Sequence, residues 1–291
     1  MFQTFAWNET AARVFGGREP VQVIVIENDS EAAIIPACHR SGRTGLIGER
    51  LFDYRDAISA EGSILTGAWS NIAGLGSPFE IKAVRGDNSV ACWEGLAIEP
   101  FANAPAVLRG SISADEFLHA HNRLGRHSRR IRKHGFDLHR HSGLDRDLIR
   151  MIYERKGGQG SPESNLFCDS LRREFMVEIC AHPETVCDVF TYETAGDVVA
   201  ALVTFRDGGW RRFYTVYYDQ RWGSLSPGQV LLYEITAQSL AEGLDCDFMT
   251  GEYPYKLRLA TDVVPLYRVS ATPAQLRQAA RQKLATASLA A

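Results

Sequence analysis

The sequence predicts an α+β fold, also described as mixed α/β, in which a central mixed sheet is flanked by helices. The 291 residues are 45% hydrophobic and 23% charged, a composition typical of globular domains with ordinary cores. In the second half, three strands between Val186 and Tyr218 follow one another across short turns. A helix over Leu231–Ala241 then leads to a buried strand over Cys246–Thr250, which indicates one parallel crossover beside an antiparallel meander.

The first hundred residues predict strands joined by turns. Val21–Asp29 is rich in β-branched residues and is followed almost directly by Glu31–Cys38, so the two segments are predicted to form a hairpin. This part of the sequence contains neither a phosphate loop nor a cluster of catalytic side chains. Pro100–Ser113 has two prolines and little periodicity, and it is predicted to link two domains, the number that this chain length favours.

After this linker, helices and strands alternate. Ser113 and Glu116 have the spacing of a capping box, so a helix is predicted to begin there and to run to about residue 135. The other predicted elements are a strand over Phe136–His141, helices over Leu144–Glu154 and Leu171–Ala181, a last strand over Val263–Val269, and a helical tail from Thr272.

Composition excludes several classes of protein. The net charge of −3 gives no general attraction to nucleic acid or anionic lipid. The six cysteines form no C-x-x-C pair and no Cys/His spacing suited to zinc, so reduced thiols and no metal are predicted. The N-terminus lacks the features of a secretion signal, and no apolar run approaches the roughly 20 residues of a membrane span. A soluble cytoplasmic protein is expected.

The stretch Arg211–Arg258 contains the clearest indication of a ligand site. A strand reaches the turn SLSPGQ and passes directly into a helix, so the free backbone N–H groups at the helix start predict a phosphate-binding corner. Pro227 suits the first helical position, and Gly228 lets the backbone approach a ligand. The alternative is an ordinary Ser-Pro-Gly helix start. The residues predicted to line the corner are Ser224, Ser226, Pro227, Gly228 and Gln229.

Titratable side chains follow the next strand. Transfer of a group to a nucleophile needs a base for the acceptor's proton and an acid for the leaving group. Tyr255 is the candidate acid, and Glu252 or Asp247 the candidate base. Lys256 would orient a phosphate, a carboxylate or the developing oxyanion. The alternative is a structural turn with a pair formed by Lys256 and a carboxylate at the surface.

A basic run precedes the predicted strand at Phe136. Arg126, Arg129, Arg130 and Lys133 recur at the spacing of one helix face. The simplest interpretation is a solvated charged face. The functional alternatives are contact with the phosphates of a carrier molecule or with transfer RNA.

The order of these motifs resembles the GNAT acyltransferases, and specifically the FemAB-like group with its CelD-type acetyltransferases. The resemblance rests on SRRIRKHG (Ser128–Gly135), YYDQRWGSLSPGQVLLYEI (Tyr217–Ile235) and DFMTGEYPYKLR (Asp247–Arg258). It extends over about Asp115 to Val269. It implies two tandem GNAT-like lobes, with a degenerate lobe at residues 1–112, an acyltransferase domain at 113–271 and a helical tail at 272–291.

The resemblance also implies a reaction. An acyl-CoA, such as acetyl-CoA, would be the donor, attacked directly by an amine or hydroxyl acceptor without a metal. The pyrophosphate would lie at the helix start, although the family's usual Q/R-x-x-G-x-G/A spacing is not kept here. Arg221 would contact the donor, and backbone N–H groups of the Phe213–Val216 stretch, with Val216 at its end, would bind it near the thioester. A small-molecule or glycan acceptor in polysaccharide or cell-envelope metabolism is implied.

Two further functions remain open at this point. One is a FemAB-type transferase that uses aminoacyl-tRNA, in which the basic helix would be central. The other is a non-catalytic binding module that keeps the fold without a donor site. The sequence predicts neither the acyl chain length nor the oligomeric state.

Overall fold

The computed structural model describes residues 1–28, 32–48, 50–59, 67–87, 93, 95–110 and 112–290. In chain order, its helices and strands are α1 (Phe5–Phe15), β1 (Val21–Glu27), β2 (Ala32–Arg40), β3 (Arg43–Leu46), β4 (Ile58–Ser59), α2 (Trp69–Gly74), β5 (Phe79–Arg85), β6 (Ala97–Phe101), β7 (Ala106–Leu108), α3 (Ala114–Ala120), α4 (Asn122–Lys133), β8 (Asp137–Ser142), α5 (Arg146–Gly157), α6 (Ser170–Cys180), β9 (Val186–Thr194), β10 (Asp197–Asp207), β11 (Trp210–Tyr218), α7 (Pro227–Ala241), β12 (Asp245–Asp247), α8 (Pro254–Leu259), β13 (Asp262–Val263), β14 (Leu266–Ala271) and α9 (Pro273–Ala290).

The chain forms two compact units, each with its own sheet. The first unit comprises Met1–Ala104 and Val264–Ala291, and the second comprises Pro105–Val263. The predicted mixed α/β class is confirmed, because each sheet is antiparallel apart from one parallel pair and is flanked by helices.

In the first unit the strand order is β1-β2-β3-β5-β14-β6, with β4 paired to β2. The predicted hairpin is present, since β1 and β2 pair antiparallel from Val21 opposite Cys38 to Glu27 opposite Ala32. The predicted turn residue Asp29 and the hairpin loop, residues 29–31, lie outside the described residues. The core brings together apolar residues of the sheet, α2 and α9, including Trp69, Trp93 and Leu276.

In the second unit the strand order is β13-β7-β12-β11-β10-β9-β8. The long antiparallel meander β9-β10-β11 forms its centre, as predicted. Helix α7 has ten buried residues among its fifteen and packs against this meander, so its apolar sequence fits a helix between other elements. The link from α7 to β12 then makes β12 parallel to β11.

Three predicted elements differ from the structure. The predicted linker Pro100–Ser113 contains β7, which pairs with β12 on one side and with β13 on the other. The predicted helix over 113–135 is two helices, because the backbone at His121 leaves the helical region with φ −107° and ψ 33°. The predicted last strand over Val263–Val269 divides around Pro265 into β13 and β14.

The division into units also differs from the predicted domains. Strand β14 pairs with β5 and β6, and α9 packs against α2 and β14 in the first unit. The physical reason is strand pairing. A strand's partners come from backbone hydrogen bonds with distant segments, and the local sequence does not specify them.

The described cysteines are free thiols. Cys38, Cys180, Cys187 and Cys246 are buried and Cys168 is partly buried, whereas Cys92 lies outside the described residues. Within the described ranges no helix is long and apolar enough to cross a membrane.

Candidate active site

The site is organised by two neighbouring strands that separate. β11 pairs with β12 only from Trp210 to Arg212, although β11 continues to Tyr218. Its register with β10 shifts at Tyr214, where β11 carries one extra residue. Beyond Arg212, one edge of β11 is therefore open to side chains from other elements. We call this opening the β11–β12 wedge.

Side chains from α5 and from the residues just after it donate hydrogen bonds to backbone carbonyls of β11 in this wedge. The Nζ atom of Lys156 donates to the Val216 carbonyl at 2.8 Å, and Nε2 of Gln159 donates to the Tyr218 carbonyl at 2.8 Å. Nearby, the hydroxyl of the fully buried Tyr153 donates to Oγ1 of Thr215 at 3.0 Å. Helix α5 thus fixes the part of β11 that has left β12.

The predicted phosphate corner has a different geometry from the one expected. Ser226 adopts left-handed backbone angles (φ 51°, ψ 47°), and its carbonyl accepts the N–H groups of Gln229 at 3.1 Å and Val230 at 3.2 Å. Pro227 has no N–H. Of the first four α7 residues, all described, Gly228 alone keeps a backbone N–H without a backbone acceptor, so the corner offers one amide donor instead of several.

Gly228 has a packing role in this corner. A Cβ atom there would lie 3.1 Å from Cγ1 of Val216 and 3.3 Å from Cδ1 of Tyr218. The absence of a side chain therefore lets α7 approach β11 closely. Ser224 and Gln229 are exposed, Ser226 is partly exposed, and Pro227 is buried.

Arg221 lies on the surface in a group of paired charges. Its Nε donates to Asp219 at 2.9 Å and its Nη2 to Asp197 at 3.2 Å, while Arg155 also pairs with Asp197 at 2.8 Å. Arg155, Asp219 and Arg221 border a cavity of about 570 Å³ that is also lined by Gly158, Gly160 and Tyr217. The two carboxylates offset the charge that Arg221 would offer to a phosphate.

The predicted catalytic cluster is only partly brought together. Tyr253 and Tyr255 stack with ring centroids 5.8 Å apart, and Nζ of Lys256 lies 5.4 Å from the Tyr253 ring. That Nζ atom also donates to the Thr250 carbonyl at 2.6 Å. Burial, followed by the neighbouring Tyr253, raises the pKa of Tyr255, which keeps its hydroxyl protonated. Glu252 is exposed.

Asp247 stands apart from this cluster. Its side chain is fully buried, one carboxylate oxygen accepts from Arg212 Nη1 at 2.6 Å, and the other accepts from the Met249 N–H at 2.8 Å. A carboxylate with donors on both oxygens and no exposure has no path to an acceptor's proton. These contacts favour a structural role for Asp247 over the predicted catalytic one.

The predicted basic face is present on α4. Arg126, Arg129, Arg130 and Lys133 are all exposed. Among the described residues, none of the four lies within ion-pair distance of a carboxylate, whereas Arg132 on the same helix pairs with Glu234 at 3.2 Å. The four cations therefore form a solvent-facing surface without local neutralisation.

Lys156 is the functional candidate that the sequence motifs did not indicate. Burial, followed by the charge of Lys256, lowers the pKa of Lys156 to about 8. The two amines thus approach the wedge from different elements. Lysine scarcity gives an indication in the sequence, because the chain has five lysines against 27 arginines. No cluster of His, Cys, Asp and Glu suited to a metal occurs in the described part of the chain.

Comparisons with known proteins agree with this architecture. Residues 119–257 match the family model described as Acetyltransferase (GNAT) domain. The C-terminal domain of a putative lysylphosphatidylglycerol synthetase from Agrobacterium fabrum superposes with a TM-score of 0.64 at 10% identity, covering 95% of this chain and 94% of that one. FemX gives a TM-score of 0.63 at 11% identity, covering 92% and 91%.

A third solved structure, L-PGS from Bacillus licheniformis, has a TM-score of 0.58 at 11% identity and covers 96% of both chains. At these identities the likeness concerns the fold. None of the curated proteins matches the chain. The predicted mixed α/β fold is therefore confirmed, residues 119–257 are similar to a GNAT acetyltransferase domain, and the CelD-type assignment stays a prediction.

Proposed function

We propose that the second unit is an acyltransferase that moves an acyl group from acyl-CoA directly to an amine or hydroxyl acceptor. The observation that carries the proposal is the β11–β12 wedge, where an open strand edge with a bulge at Tyr214 lies beside the amines of Lys156 and Lys256. The match of residues 119–257 to the GNAT acetyltransferase domain supports it.

Each group in the wedge has a proposed role. Backbone N–H groups of the Phe213–Val216 stretch bind the thioester oxygen, which stabilises the charge that develops during attack. Tyr255 is the proposed acid for the leaving thiolate, and its raised pKa keeps the hydroxyl protonated until the thiolate forms. Lys256 orients the acyl group or the oxyanion. Glu252 is the one predicted base that is open to solvent, and Asp247 holds Arg212 instead.

The corner at the start of α7 is proposed to contact the diphosphate of the donor weakly. It supplies the Gly228 N–H and the hydroxyls of Ser224 and Ser226. Arg221 contributes less than a free arginine, since Asp219 and Asp197 already pair with it. We expect a dissociation constant for CoA in the upper micromolar range or weaker, which corresponds to a binding free energy of about −5 kcal/mol or less favourable.

Transfer from aminoacyl-tRNA is the second candidate function. The exposed cations of α4 favour it, because four unneutralised charges on one helix face would suit a phosphate backbone. The fold is also shared with FemX and with the putative lysylphosphatidylglycerol synthetase domain. The acceptor in either case is proposed to be a small molecule or a glycan that carries an amine or hydroxyl.

Two binding measurements separate the candidates. Calorimetry with acetyl-CoA should give heat that Gly228→Val abolishes, and filter binding with charged tRNA should show no specific retention. If tRNA binds instead, the double variant Arg129→Glu/Arg130→Glu should weaken it and reduce the slope of log affinity against log salt by about 0.9 for each lost contact. Asp115→Asn, at an exposed site on α3, is the matched control.

Turnover is tested by thiol release from a panel of acyl-CoAs offered with amines and sugars. Tyr255→Phe should lower kcat about 100-fold, the low end for loss of a general acid. Tyr267→Phe, in the first unit, should leave it unchanged. If neither donor binds and no thiol appears with the unaltered protein, the fold serves as a non-catalytic binding module and the proposal is wrong.

A further inference from the structure

Lysine is rare in this chain and is concentrated at the wedge. Two of the five lysines in the sequence are Lys156 and Lys256, and the sequence has 27 arginines. Lys156 comes from α5 and Lys256 from α8, a hundred residues apart in sequence. Arginine stays charged at any physiological pH, whereas lysine can lose its proton when its surroundings disfavour charge. Two of the five lysine amines, which unlike arginine can lose a proton, therefore lie near the open edge of β11.

The position of Lys156 is fixed by its contacts. Its Nζ donates to the Val216 carbonyl at 2.8 Å, so the amine lies at the stretch of β11 proposed to bind the thioester. The side-chain Nδ2 of Asn165 donates to the Lys156 carbonyl at 2.6 Å and helps to hold the end of α5. Lys156 as a residue is partly exposed.

The charges on the surrounding elements favour a neutral Lys156. Burial disfavours its ammonium form, and the charge of Lys256 on α8 repels that form further. The other charged groups nearby are already paired, Arg155 with Asp197 and Asp219 with Arg221. Within the described residues no carboxylate lies at ion-pair distance from Lys156. Its pKa of about 8 leaves roughly a quarter of the amine neutral at pH 7.5, against roughly 0.1% for an ordinary lysine.

We infer that Lys156 is a catalytic base that accepts the proton of the attacking amine or hydroxyl, an inference that rests on the proposed acyl transfer. The neutral Nζ takes this proton while the acceptor's nitrogen or oxygen bonds to the thioester carbonyl carbon. The carbon–sulfur bond then breaks, Tyr255 protonates the departing sulfur, and the proton held by the Lys156 ammonium returns to the Tyr255 oxygen. The products are the acylated acceptor and the free thiol, and the amine is regenerated without a further reactant.

Lys156 suits this role better than the predicted base Glu252. Glu252 is exposed to solvent on the segment between β12 and α8. Lys156 instead contacts the strand edge itself. Tyr255 keeps its proposed role as the acid that protonates the leaving sulfur.

The first test measures the titration of Lys156 without any assay of activity. Full-length protein labelled with [13C]lysine gives five Cε signals, and Lys156→Arg identifies the one that belongs to Lys156. This signal should titrate with a midpoint near pH 8, and Lys256→Met should move the midpoint upward by at least half a unit. If all five signals titrate near pH 10 or above, the inference is overturned, whether or not the protein proves to be an acyltransferase.

The second test measures catalysis. Lys156→Arg keeps a positive donor at this position but does not deprotonate, so kcat should fall about 100-fold or more while the dissociation constant for acetyl-CoA stays within a factor of three. The rise of kcat/KM with pH should have the midpoint found by NMR. Lys82→Arg, at an exposed site in the first unit, should retain wild-type kcat.

Chemical rescue distinguishes a base from a structural side chain. Lys156→Ala should regain activity on addition of ethylamine, with a pH optimum that follows the pKa of the added amine. Full activity of Lys156→Arg, or an inactive Lys156→Ala that no amine rescues despite an unchanged circular dichroism spectrum, would contradict the role. An absence of acyl transfer by the unaltered protein would end the proposed function and the catalytic role together, whereas an ordinary titration of Lys156 would end only the latter.

Discussion

At the scale of single residues, packing explains features that also suggest ligand binding. Gly228 was predicted to let a ligand approach the backbone, and in the structure it lets α7 approach Val216 and Tyr218. The same substitution therefore affects stability and donor binding together. Stability has to be measured beside affinity at this position.

We expect Gly228→Val to lower the free energy of unfolding by about 2 kcal/mol, because the new side chain would crowd Val216 and Tyr218. Gly223→Val is the matched control, since nothing lies within 4 Å of a Cβ at Gly223. Urea denaturation of both variants gives the comparison. Equal urea midpoints for the two variants would show that the start of α7 accommodates a side chain at residue 228 without loss of stability.

Asp56 is expected to make the first unit less stable as pH rises. Burial raises the pKa of Asp56 to about 7, while its Oδ1 accepts from Trp93 Nε1 at 3.0 Å and from the Ala57 N–H at 2.8 Å. Between the ordinary aspartate pKa of about 4 and pH 7, the folded state holds a proton that the unfolded state has lost. Stability therefore falls across this window, by up to about 4 kcal/mol.

Asp56→Asn should remove this loss, because the amide keeps the accepting oxygen and does not ionise. Hydrogen exchange of β5 peptides at pH 5 and pH 8 measures the effect in the full-length chain. The variant should be protected equally at both values after correction for intrinsic exchange rates. Asp262→Asn, at an exposed position of the second unit, should behave as the unaltered protein does.

Site residues were predictable from the sequence only where they are close along the chain. The positions of Tyr255 and Lys256 after a strand pointed to the wedge. The partner of Asp247 is Arg212, 35 residues earlier, and without that contact the carboxylate resembled a base. Lys156 is 60 residues from the carbonyl that it binds, and no motif spacing connects the two. These long-range pairs depend on strand and helix packing, which the sequence pattern does not specify.

At the scale of elements, helix α3 shows a local prediction that is confirmed in detail. Oγ of Ser113 accepts the Glu116 N–H at 3.2 Å, and Oε2 of Glu116 accepts the Ser113 N–H at 2.8 Å. The Ser113 backbone N–H, followed by its hydroxyl, lowers the pKa of Glu116. A lowered carboxyl pKa stabilises the folded state above the unfolded pKa, and this contribution is lost as pH falls through the folded pKa.

Ser113→Ala should therefore destabilise α3 more at pH 7 than at pH 3.5. Hydrogen exchange of peptides covering residues 114–120 at the two pH values would show it. Asp115→Asn, which changes a neighbouring exposed carboxylate, should leave the difference in place. An equal effect of Ser113→Ala at both pH values would mean that the Glu116 carboxylate contributes nothing to the cap.

Long periodic elements were predictable from the sequence, whereas the three-residue strand β7 and the break between α3 and α4 were not. The meander from Val186 to Tyr218 and helix α7 follow from their apolar patterns. Strand β7 has three residues between prolines and glycine, and its pairing with β12 and β13 compensates for a weak local pattern. The break between α3 and α4 falls at His121, whereas helix propensity pointed to Gly125 as the weak position.

At the scale of the whole molecule, the first unit is made of two distant parts of the chain. β14 lies between β5 and β6 in the sheet, so it is the one strand partner of β6 among the described residues, and without it β5 keeps only its short parallel pairing with β3. We expect deletion of residues 264–291 to abolish protection of β5 and β6 amides from hydrogen exchange. The second unit, residues 105–263, contains all the strands of its own sheet and should retain protection in β9 and β10.

The control for this deletion is a shorter one. Removal of residues 284–291 leaves β14 and the buried Leu276, Ala279 and Ala280 in place. It should therefore preserve protection throughout the first unit. Protection of β5 and β6 in the longer deletion would show that β14 is dispensable for the sheet.

The interposed position of residues 105–263 has a consequence for biosynthesis. As the ribosome makes the chain, β5 and β6 are synthesised early. The strand that pairs with both of them, β14, is synthesised only near the end. The second unit is complete before that moment and is free to fold first. An unfinished sheet that waits through half of translation exposes apolar strand edges, so this protein should depend on chaperones during synthesis more than a chain whose units are contiguous.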